Sequence, residues 1–266
     1  MRIRYVVSTM IFWGREHPLS FAQECQYLHS LGFGIELWPN IKGQHECRYE
    51  RHNWPRLAAA TEGMLVAMRS RDDNPILKQW NDQIECAKLL KASIVTNLKS
   101  LGLPDKPELD GSGFAADVIK LAERRNVKLC LESGPLDVLK HARERFESLW
   151  FCLDTGFANV DSQYSFRQYV DELAPHVAHL HLTDNYGHKD DHVAPGLYGG
   201  MPRENWDYLL DILSRYDNDV VGSFEMTPCM PAVMIRQASE FMFDTLKWPN
   251  RPQKQPGYVD LSYNPV

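Results

Sequence analysis

The regular alternation of short β-rich runs with longer helical segments constrains the fold of this chain more than any other feature. Strand-forming runs recur at 3–8, 33–38, 63–68, 92–97, 127–132, 149–154, 177–182 and 220–225. Amphipathic segments of helical period, such as SFAQECQYLHSLG and RENWDYLLDILSRY, lie between them. Strict alternation of strand and helix predicts a parallel sheet, because each helix carries the chain back to the edge where the previous strand began.

Eight strand–helix units predict closure into a single (β/α)8 TIM barrel that covers residues 1–247. The length of 266 residues suits one such barrel, since roughly 250 residues is typical. The main alternative is an open doubly wound sheet, but the glycine-rich phosphate turn that usually follows an early strand of such a sheet is absent from the sequence. The proline-rich, polar segment 248–266 predicts a short irregular C-terminal extension.

The charge balance and the cysteines narrow the class of protein. With 29 basic against 35 acidic side chains the net charge is −6, which disfavours a nucleic-acid or anionic-membrane partner because such surfaces attract positive charge. No apolar run approaches the ~20 residues of a membrane span, and the N-terminal MRIRYVVS predicts a first strand rather than a signal peptide. The six cysteines are dispersed without a CxxC pair, so we expect reduced thiols and a cytoplasmic protein.

The last four β-rich runs all finish on or beside a side chain that can bind a metal. These side chains are Glu132, Asp154, His181 and Glu225. The ends of barrel strands meet at one mouth, so we expect the four groups to converge. Three unpaired carboxylates would repel one another, and a cation would remove that repulsion. The set predicts one divalent metal ion, Mn²⁺, Co²⁺, Mg²⁺ or Zn²⁺, with Mn²⁺ favoured, whereas the absence of a thiolate argues against a structural zinc site.

The segment HVAHLHLTDNYGHKDDH holds five of the chain's 10 histidines. His179 shares a strand face with His181 and is expected to pack beside it. Asp184 follows His181 by three residues and is predicted to orient its ring, as carboxylates beside metal-bound histidines often do. His192 is predicted to contact the substrate or, with Asp190, to hold a second metal ion. The polar residues between them are expected to form a loop that could act as a lid.

Two tryptophans follow early strands and are predicted to line the substrate site. Trp13 lies in FWGREHP after the first run, and Trp38 lies in GIELWPN after the second. Aromatic rings at these positions would form an apolar wall for a sugar, and packing within the core or a loop is the alternative for each.

The chain resembles the xylose isomerase-like TIM barrel superfamily, which covers sugar phosphate isomerases and epimerases and the AP endonuclease family 2. The resemblance extends from FGIEL to SFEM and is carried by LCLESG, CLDTGFAN and HLHLTDN with DDHVAPG. It implies a barrel in which the matching residues, Glu132, Asp154, His181 and Glu225, bind the metal. In similar epimerases the two metal-binding glutamates also form the acid/base pair, which points to Glu132 and Glu225.

The resemblance to endonuclease IV, a trinuclear zinc enzyme, is incomplete. Asp190 and His192 match its Asp-x-His pair for an additional zinc, but Phe157 stands where it has a histidine. Its two early histidines are replaced near Arg69 and Asn97. A nuclease of this type needs all its metals to hold the scissile phosphate, so the departures favour sugar chemistry.

The expected activity is that of a metal-dependent sugar isomerase or epimerase. Proton transfer next to a carbonyl would proceed through an enediolate of a small sugar, keto-sugar or cyclitol. The alternatives are a dehydratase or lyase on a related keto-sugar, an endonuclease IV-like zinc phosphodiesterase, and a barrel that binds a sugar without turnover. The expected partner is a small sugar-like molecule, with nucleic acid and membrane disfavoured and a homo-oligomer possible.

Overall fold

The computed structural model confirms the predicted (β/α)8 barrel. It describes residues 2–40, 47–71, 77–97, 112–132, 134–196, 200–228 and 230–246. Eight parallel strands form a closed sheet in which each strand pairs with its neighbours in chain order and the eighth pairs with the first. The predicted C-terminal extension, 248–266, lies outside the described residues.

The strands are short, and α-helices cover the outside of the barrel. In chain order the strands β1–β8 are Arg2–Ser8, Gly34–Leu37, Val66–Arg69, Ile94–Asn97, Lys128–Glu132, Trp150–Asp154, Val177–His181 and Asp219–Phe224. The helices α1–α9 in the described ranges are Phe21–Ser30, Trp54–Ala60, Leu77–Leu89, Ser112–Arg124, Leu136–Arg145, Thr155–Val160, Phe166–Leu173, Arg203–Ser214 and Ala232–Leu246. Two helices, α6 and α7, follow β6.

Local sequence signals explain where several helices begin and how they dock. Ser20 and Gln23 form a capping box at the start of α1, and Ser165 and Gln168 form one at the start of α7. Each box satisfies backbone N–H groups that have no partner inside the helix. The apolar faces of the helices then pack against the outer faces of the strands, where large side chains such as Trp206 are fully buried.

The third strand differs from the sequence prediction in its position. The β-rich run at 63–68 predicts it there, but β3 spans Val66–Arg69. Gly63 has a positive φ of 77°, a conformation that favours glycine and belongs to the turn before the strand. The strand therefore begins later and ends on Arg69, so that this residue lies at the mouth of the barrel.

The inner face of the barrel is divided into two layers. The lower layer, the apolar inner cluster, comprises Val6, Ala67, Ile94, Cys130, Cys152, Ala178 and Val221. The upper layer, nearer the strand C-termini, is the polar inner cluster, which comprises Glu36, Arg69, Thr96, Glu132, Asp154, His179, His181, Ser223 and Glu225, all buried. Because alternate residues of a strand share a face, the two layers lie only two residues apart on β3, β5, β6 and β8.

No helix in the described ranges is long and apolar enough to cross a membrane. The five described cysteines, Cys25, Cys47, Cys86, Cys130 and Cys152, are buried and carry free thiols.

Candidate metal centre

The four predicted metal ligands meet at the mouth of the barrel. One ligand atom from each of Glu132, Asp154, His181 and Glu225 lies within 4.8 Å of the others. All four residues are buried, with exposed fractions of 3% or less. Strands β5 to β8 bring them together because neighbouring parallel strands end at the same rim.

The contacts of the His181 ring show that this cluster fits a cation. Its Nδ1 lies 2.6 Å from Oε1 of Glu132, 2.6 Å from Oε2 of Glu225 and 4.0 Å from Oδ2 of Asp154. A ring nitrogen carries at most one proton and can donate one good hydrogen bond. Carboxylate oxygens from three residues around one nitrogen are better satisfied by a divalent ion that all four groups bind.

The other nitrogen of the same ring is held by a glutamate from β2. Oε1 of Glu36 lies 3.0 Å from Nε2 of His181, and its Oε2 accepts a hydrogen bond of 2.7 Å from the Ser223 hydroxyl. Burial alone would raise the pKa of Glu36, but the adjacent His181 ring outweighs this effect and lowers it to about 2. An ionised Glu36 keeps the proton of His181 on Nε2 and leaves Nδ1 free for a metal.

Arg69 contributes a positive charge to the polar inner cluster. Its guanidinium lies 2.7 Å from Oε2 of Glu132 and 3.4 Å from Oε1 of Glu225. The same group stacks on the Trp38 ring, 4.2 Å from the ring centroid, a contact that favours a cation. Only 4% of Arg69 is exposed, so its charge is compensated by these carboxylates rather than by solvent.

The electrostatics of the predicted ligands reflect this crowding. Burial raises the pKa of Asp154, and the nearby carboxylate of Asp190 raises it further, to about 7. Burial also acts to raise the pKa of Glu132, but Arg69 and the His181 ring hold that pKa well below its usual range. Burial opposes charge on His181, yet the surrounding carboxylates raise the pKa of its ring well above the ordinary value. Loading a metal therefore requires the loss of protons from this cluster.

The role predicted for Asp184 requires correction. Its carboxylate accepts hydrogen bonds from the backbone N–H groups of Asn185, Gly196 and Met201, and its backbone pairs with Val193. The strand ends at His181 and the chain turns away, so the three-residue spacing does not bring Asp184 to the ring. Asp184 fixes the loop after β7, and Glu36 makes the contact with His181.

Asp190 and His192 lie beside the predicted metal ligands and form a second group with Asp154. Ligand atoms of these three residues lie within 4.8 Å of one another, and Nε2 of His192 is 3.3 Å from Oδ2 of Asp190. Burial opposes charge on His192, but its contact with Asp190 and the nearby carboxylates raise its pKa to about 10. At the position of the missing nuclease histidine, Phe157 packs edge-on against Tyr169 with ring centroids 6.2 Å apart.

The remaining predicted residues pack against one another or against residues of the polar inner cluster. Trp13 and Trp38 pack edge-to-face with ring centroids 4.9 Å apart, and the Trp38 indole donates a hydrogen bond of 2.7 Å to the Ser8 hydroxyl. His179 lies deeper, with its Nδ1 2.6 Å from the Thr96 hydroxyl. Burial lowers the pKa of His179 to about 3, so this ring is neutral, consistent with a packing role.

Two charged residues of this site, Glu36 and Arg69, were not predicted to take part. Arg69 is the last residue of β3, in VAMR, and Glu36 is the penultimate residue of β2, in GIEL, so both lie near strand C-termini, as the predicted ligands do on later strands. They could have been found by searching the ends of β2 and β3 for charged side chains, as was done for the last four strands. A charged side chain on the inner face of a short barrel strand needs a partner inside the barrel.

No protein-family model and no curated protein sequence matches the chain. Solved structures do match over nearly its whole length. A D-tagatose 3-epimerase-like protein superposes with a TM-score of 0.68 at 18% identity, covering 92% of this chain and 97% of that one. The IolI protein with a bound zinc atom has a TM-score of 0.64 at 16% identity, covering 92% and 98%. Endonuclease IV from Thermus thermophilus has a TM-score of 0.58 at 16% identity, covering 92% and 99%.

These likenesses confirm the fold that the sequence resemblance implied. An epimerase-like protein and an endonuclease IV both share the barrel along almost their full lengths, and further matches are xylose isomerase domain proteins. The chain therefore has the xylose isomerase-like barrel fold. At identities of 18% or less the activity has to be argued from the site itself.

Proposed function

We propose that the protein is a metal-dependent sugar isomerase or epimerase that moves a proton next to a carbonyl of a small sugar, keto-sugar or cyclitol. The observation that carries this proposal is the convergence of three carboxylates around Nδ1 of His181 at the barrel mouth. The fold likeness to a D-tagatose 3-epimerase-like protein supports it, and the zinc bound by IolI supports a divalent metal. Manganese is the ion we favour.

The donor set is suited to a divalent ion with oxygen and nitrogen ligands. Glu132, Asp154, His181 and Glu225 would hold it, with Glu36 fixing the His181 ring. When bound, the metal would act as a Lewis acid that stabilises negative charge on the carbonyl oxygen of the substrate.

The proton transfers would be carried out by Glu132 and Glu225. Each is buried and has one carboxylate oxygen near His181 and the other near Arg69, so each oxygen has a fixed direction. One glutamate would take the carbon-bound proton and the other would return it, to the opposite face in an epimerase or to the neighbouring carbon in an isomerase. Trp13 and Trp38 would cover the apolar face of the sugar, and His192 would contact its hydroxyls.

The decisive experiment has two parts. Elemental analysis of protein purified without chelators is expected to give about one Mn, Co, Mg or Zn ion per chain. A ketose and aldose screen in D₂O is then expected to find a substrate that gains deuterium at the carbon beside its carbonyl. An active substrate that is converted without exchange would overturn proton transfer of this kind.

A dehydratase or lyase is the alternative within the same chemistry. Removal of the same proton by Glu132 or Glu225 could be followed by loss of a leaving group from the neighbouring carbon. Product mass separates the two, since isomerisation leaves the mass of the sugar unchanged in H₂O and elimination of water lowers it by about 18 Da.

One observation favours a second candidate, an endonuclease IV-like phosphodiesterase. Asp190 and His192 group with Asp154 in a way that could bind a further metal ion. Against it, Arg69 and Phe157 stand where two of the nuclease histidines are expected. Nicking of duplex DNA that contains an abasic site, together with two or three zinc ions per chain, would favour this candidate.

We further propose a small-molecule substrate and a reducing compartment such as the cytoplasm. Five buried free thiols in the described ranges support the reducing compartment. The net charge of −6 supports a small substrate over nucleic acid or membrane, and assembly into a homo-oligomer is to be tested by light scattering.

A further inference from the structure

Arg69 occupies a position in the metal centre that the metal-binding scheme does not explain. It projects from the end of β3 into the polar inner cluster and is 4% exposed. One face of its guanidinium stacks on Trp38, and its Nε has no hydrogen-bond partner within the described part of the chain. A guanidinium remains charged at every physiological pH. The centre therefore contains a permanent cation before any metal is added.

The carboxylates that Arg69 contacts are two of the predicted metal ligands. Glu132 directs Oε1 to Nδ1 of His181 at 2.6 Å and Oε2 to Arg69 at 2.7 Å. Glu225 directs Oε2 to the same nitrogen at 2.6 Å and Oε1 to Arg69 at 3.4 Å. Each glutamate thus lies between the His181 side of the centre and the guanidinium, and can serve both with different oxygens.

We propose that Arg69 is a built-in counter-cation of this centre, which stabilises Glu132 and Glu225 in the metal-free protein and weakens the binding of a divalent ion. The inference rests on the proposed metal-dependent function. Two opposite effects follow from one side chain. Its charge pairs with carboxylates that would otherwise be buried unpaired, and it repels any cation that binds to the same carboxylates.

The repulsion is expected to outweigh the benefit that Arg69 gives by orienting the glutamates. A divalent ion carries two positive charges, so the guanidinium repels it twice as strongly as it would a monovalent ion. The repulsion acts at short range in a buried site, where screening by salt is weak. The glutamates are also held by other groups, since both contact Nδ1 of His181. Arg69 would therefore lower the affinity of the site for every cation, so that only ions with a strong intrinsic affinity for these ligands would bind.

The test compares Arg69→Gln, Arg69→Lys and Arg48→Gln with the wild type. Arg48 is the matched control, because it is also a mostly buried arginine paired with a buried glutamate, 2.8 Å from Glu24 and 11% exposed, but in a different part of the fold. Mn²⁺ affinity is measured by competition with a chromophoric chelator, so that a variant unstable without metal can still be titrated from its loaded form. Thermal unfolding is recorded with and without EDTA.

The expected result is a crossed pattern. Arg69→Gln should bind Mn²⁺ at least about tenfold more tightly than the wild type and, in EDTA, unfold about 5 °C or more below it. Arg69→Lys, which keeps the charge, should bind Mn²⁺ like the wild type. Arg48→Gln should lose thermal stability without a change in Mn²⁺ affinity.

Two outcomes would each overturn a defined part of the proposal. Mn²⁺ binding by Arg69→Gln that equals or falls below that of the wild type would overturn the counter-cation role and leave the proposed function intact. Absence of Mn²⁺ binding by the wild type and all variants would overturn the metal centre, and with it both the proposed function and this inference.

Discussion

The apolar and polar inner clusters occupy the same barrel and differ in almost everything else. On β3 the inner face passes from Ala67 to Arg69, and on β5 from Cys130 to Glu132, in a single step of two residues. The apolar layer gains free energy by burying surface that water would otherwise contact. The polar layer buries four acidic side chains, which costs free energy unless they are paired or bind a cation.

This contrast shows how the barrel supports a demanding site. The lower layer and the helix-covered outer faces hold the strands in register, so that the upper layer can keep charges close together that would otherwise separate. Stability and chemistry are therefore assigned to different heights of the same strands. Substitutions in the apolar inner cluster should mainly change stability, and substitutions in the polar inner cluster should mainly change metal affinity.

The largest expected effect is on folding, from a charge introduced into the apolar inner cluster. Val221→Asp should destabilise the protein by about 3–5 kcal/mol or more, because the new carboxylate would be buried without a partner. Urea unfolding and the yield of folded protein measure it, with Val221→Ala as the control for lost volume. A Val221→Asp variant as stable as Val221→Ala would show that the lower layer tolerates charge.

The next largest effect is on metal affinity rather than on folding, and comes from a substitution in the polar inner cluster. Glu225→Ala should lower Mn²⁺ affinity more than about 100-fold, beyond the loss typical of residues that only support a ligand, with a smaller effect on metal-free stability. Glu24→Ala is the matched control, because Glu24 is buried and paired with Arg48 but lies on α1. Undiminished Mn²⁺ affinity in Glu225→Ala would remove this residue from the ligand set.

A smaller loss is expected when the support of His181 is weakened. Glu36→Gln keeps the shape of the side chain but removes the charge that holds the proton on Nε2, and should lower Mn²⁺ affinity about tenfold. Ser223→Ala, which removes one hydrogen bond to Glu36, should have a weaker effect in the same direction. Equal affinities in Glu36→Gln and the wild type would mean that the neighbouring ligands alone orient the ring.

The most gradual effect, spread over about three pH units, is a pH dependence of metal-free stability through Asp154. Its raised pKa of about 7 means that the folded protein keeps this proton where the unfolded chain has lost it. The resulting stability is fully present below about pH 4 and is lost as the pH rises towards 7, by about 1.4 kcal/mol per unit at most. Asp154→Asn should therefore gain stability relative to wild type between pH 4 and 7 in EDTA, and a constant difference would contradict the assignment.

The sequence was sufficient for the fold and for the predicted ligand set because both depend on position along the strands. Eight β-rich runs define where the strands end, and the barrel converts those ends into one rim, so Glu132 and Asp154 could be placed without any distance information. The roles of these residues remain predictions that the variants above test.

The rest depends on contacts across the barrel that spacing along the chain does not encode. The β-rich run at 63–68 placed Arg69 just beyond the predicted strand. In the structure the turn at Gly63 delays the start of β3, so that Arg69 is its last residue and faces inward. Glu36 meets His181 across the barrel interior, 145 residues away in sequence. Asp184 is close to His181 along the chain, but the turn after β7 separates the two side chains. The Asp184 carboxylate accepts hydrogen bonds from the backbone of the loop instead.

That use of Asp184 has a kinetic consequence. One buried carboxylate ties the backbone at Asn185, Gly196 and Met201 to a single point, so the two ends of the loop after β7 are fastened together. Because these hydrogen bonds would have to break before the two ends could separate, we expect residues 185–196 to act as a fixed wall of the site rather than as the lid suggested by their polar sequence. Entry of substrate and departure of product would then not wait for this loop to open.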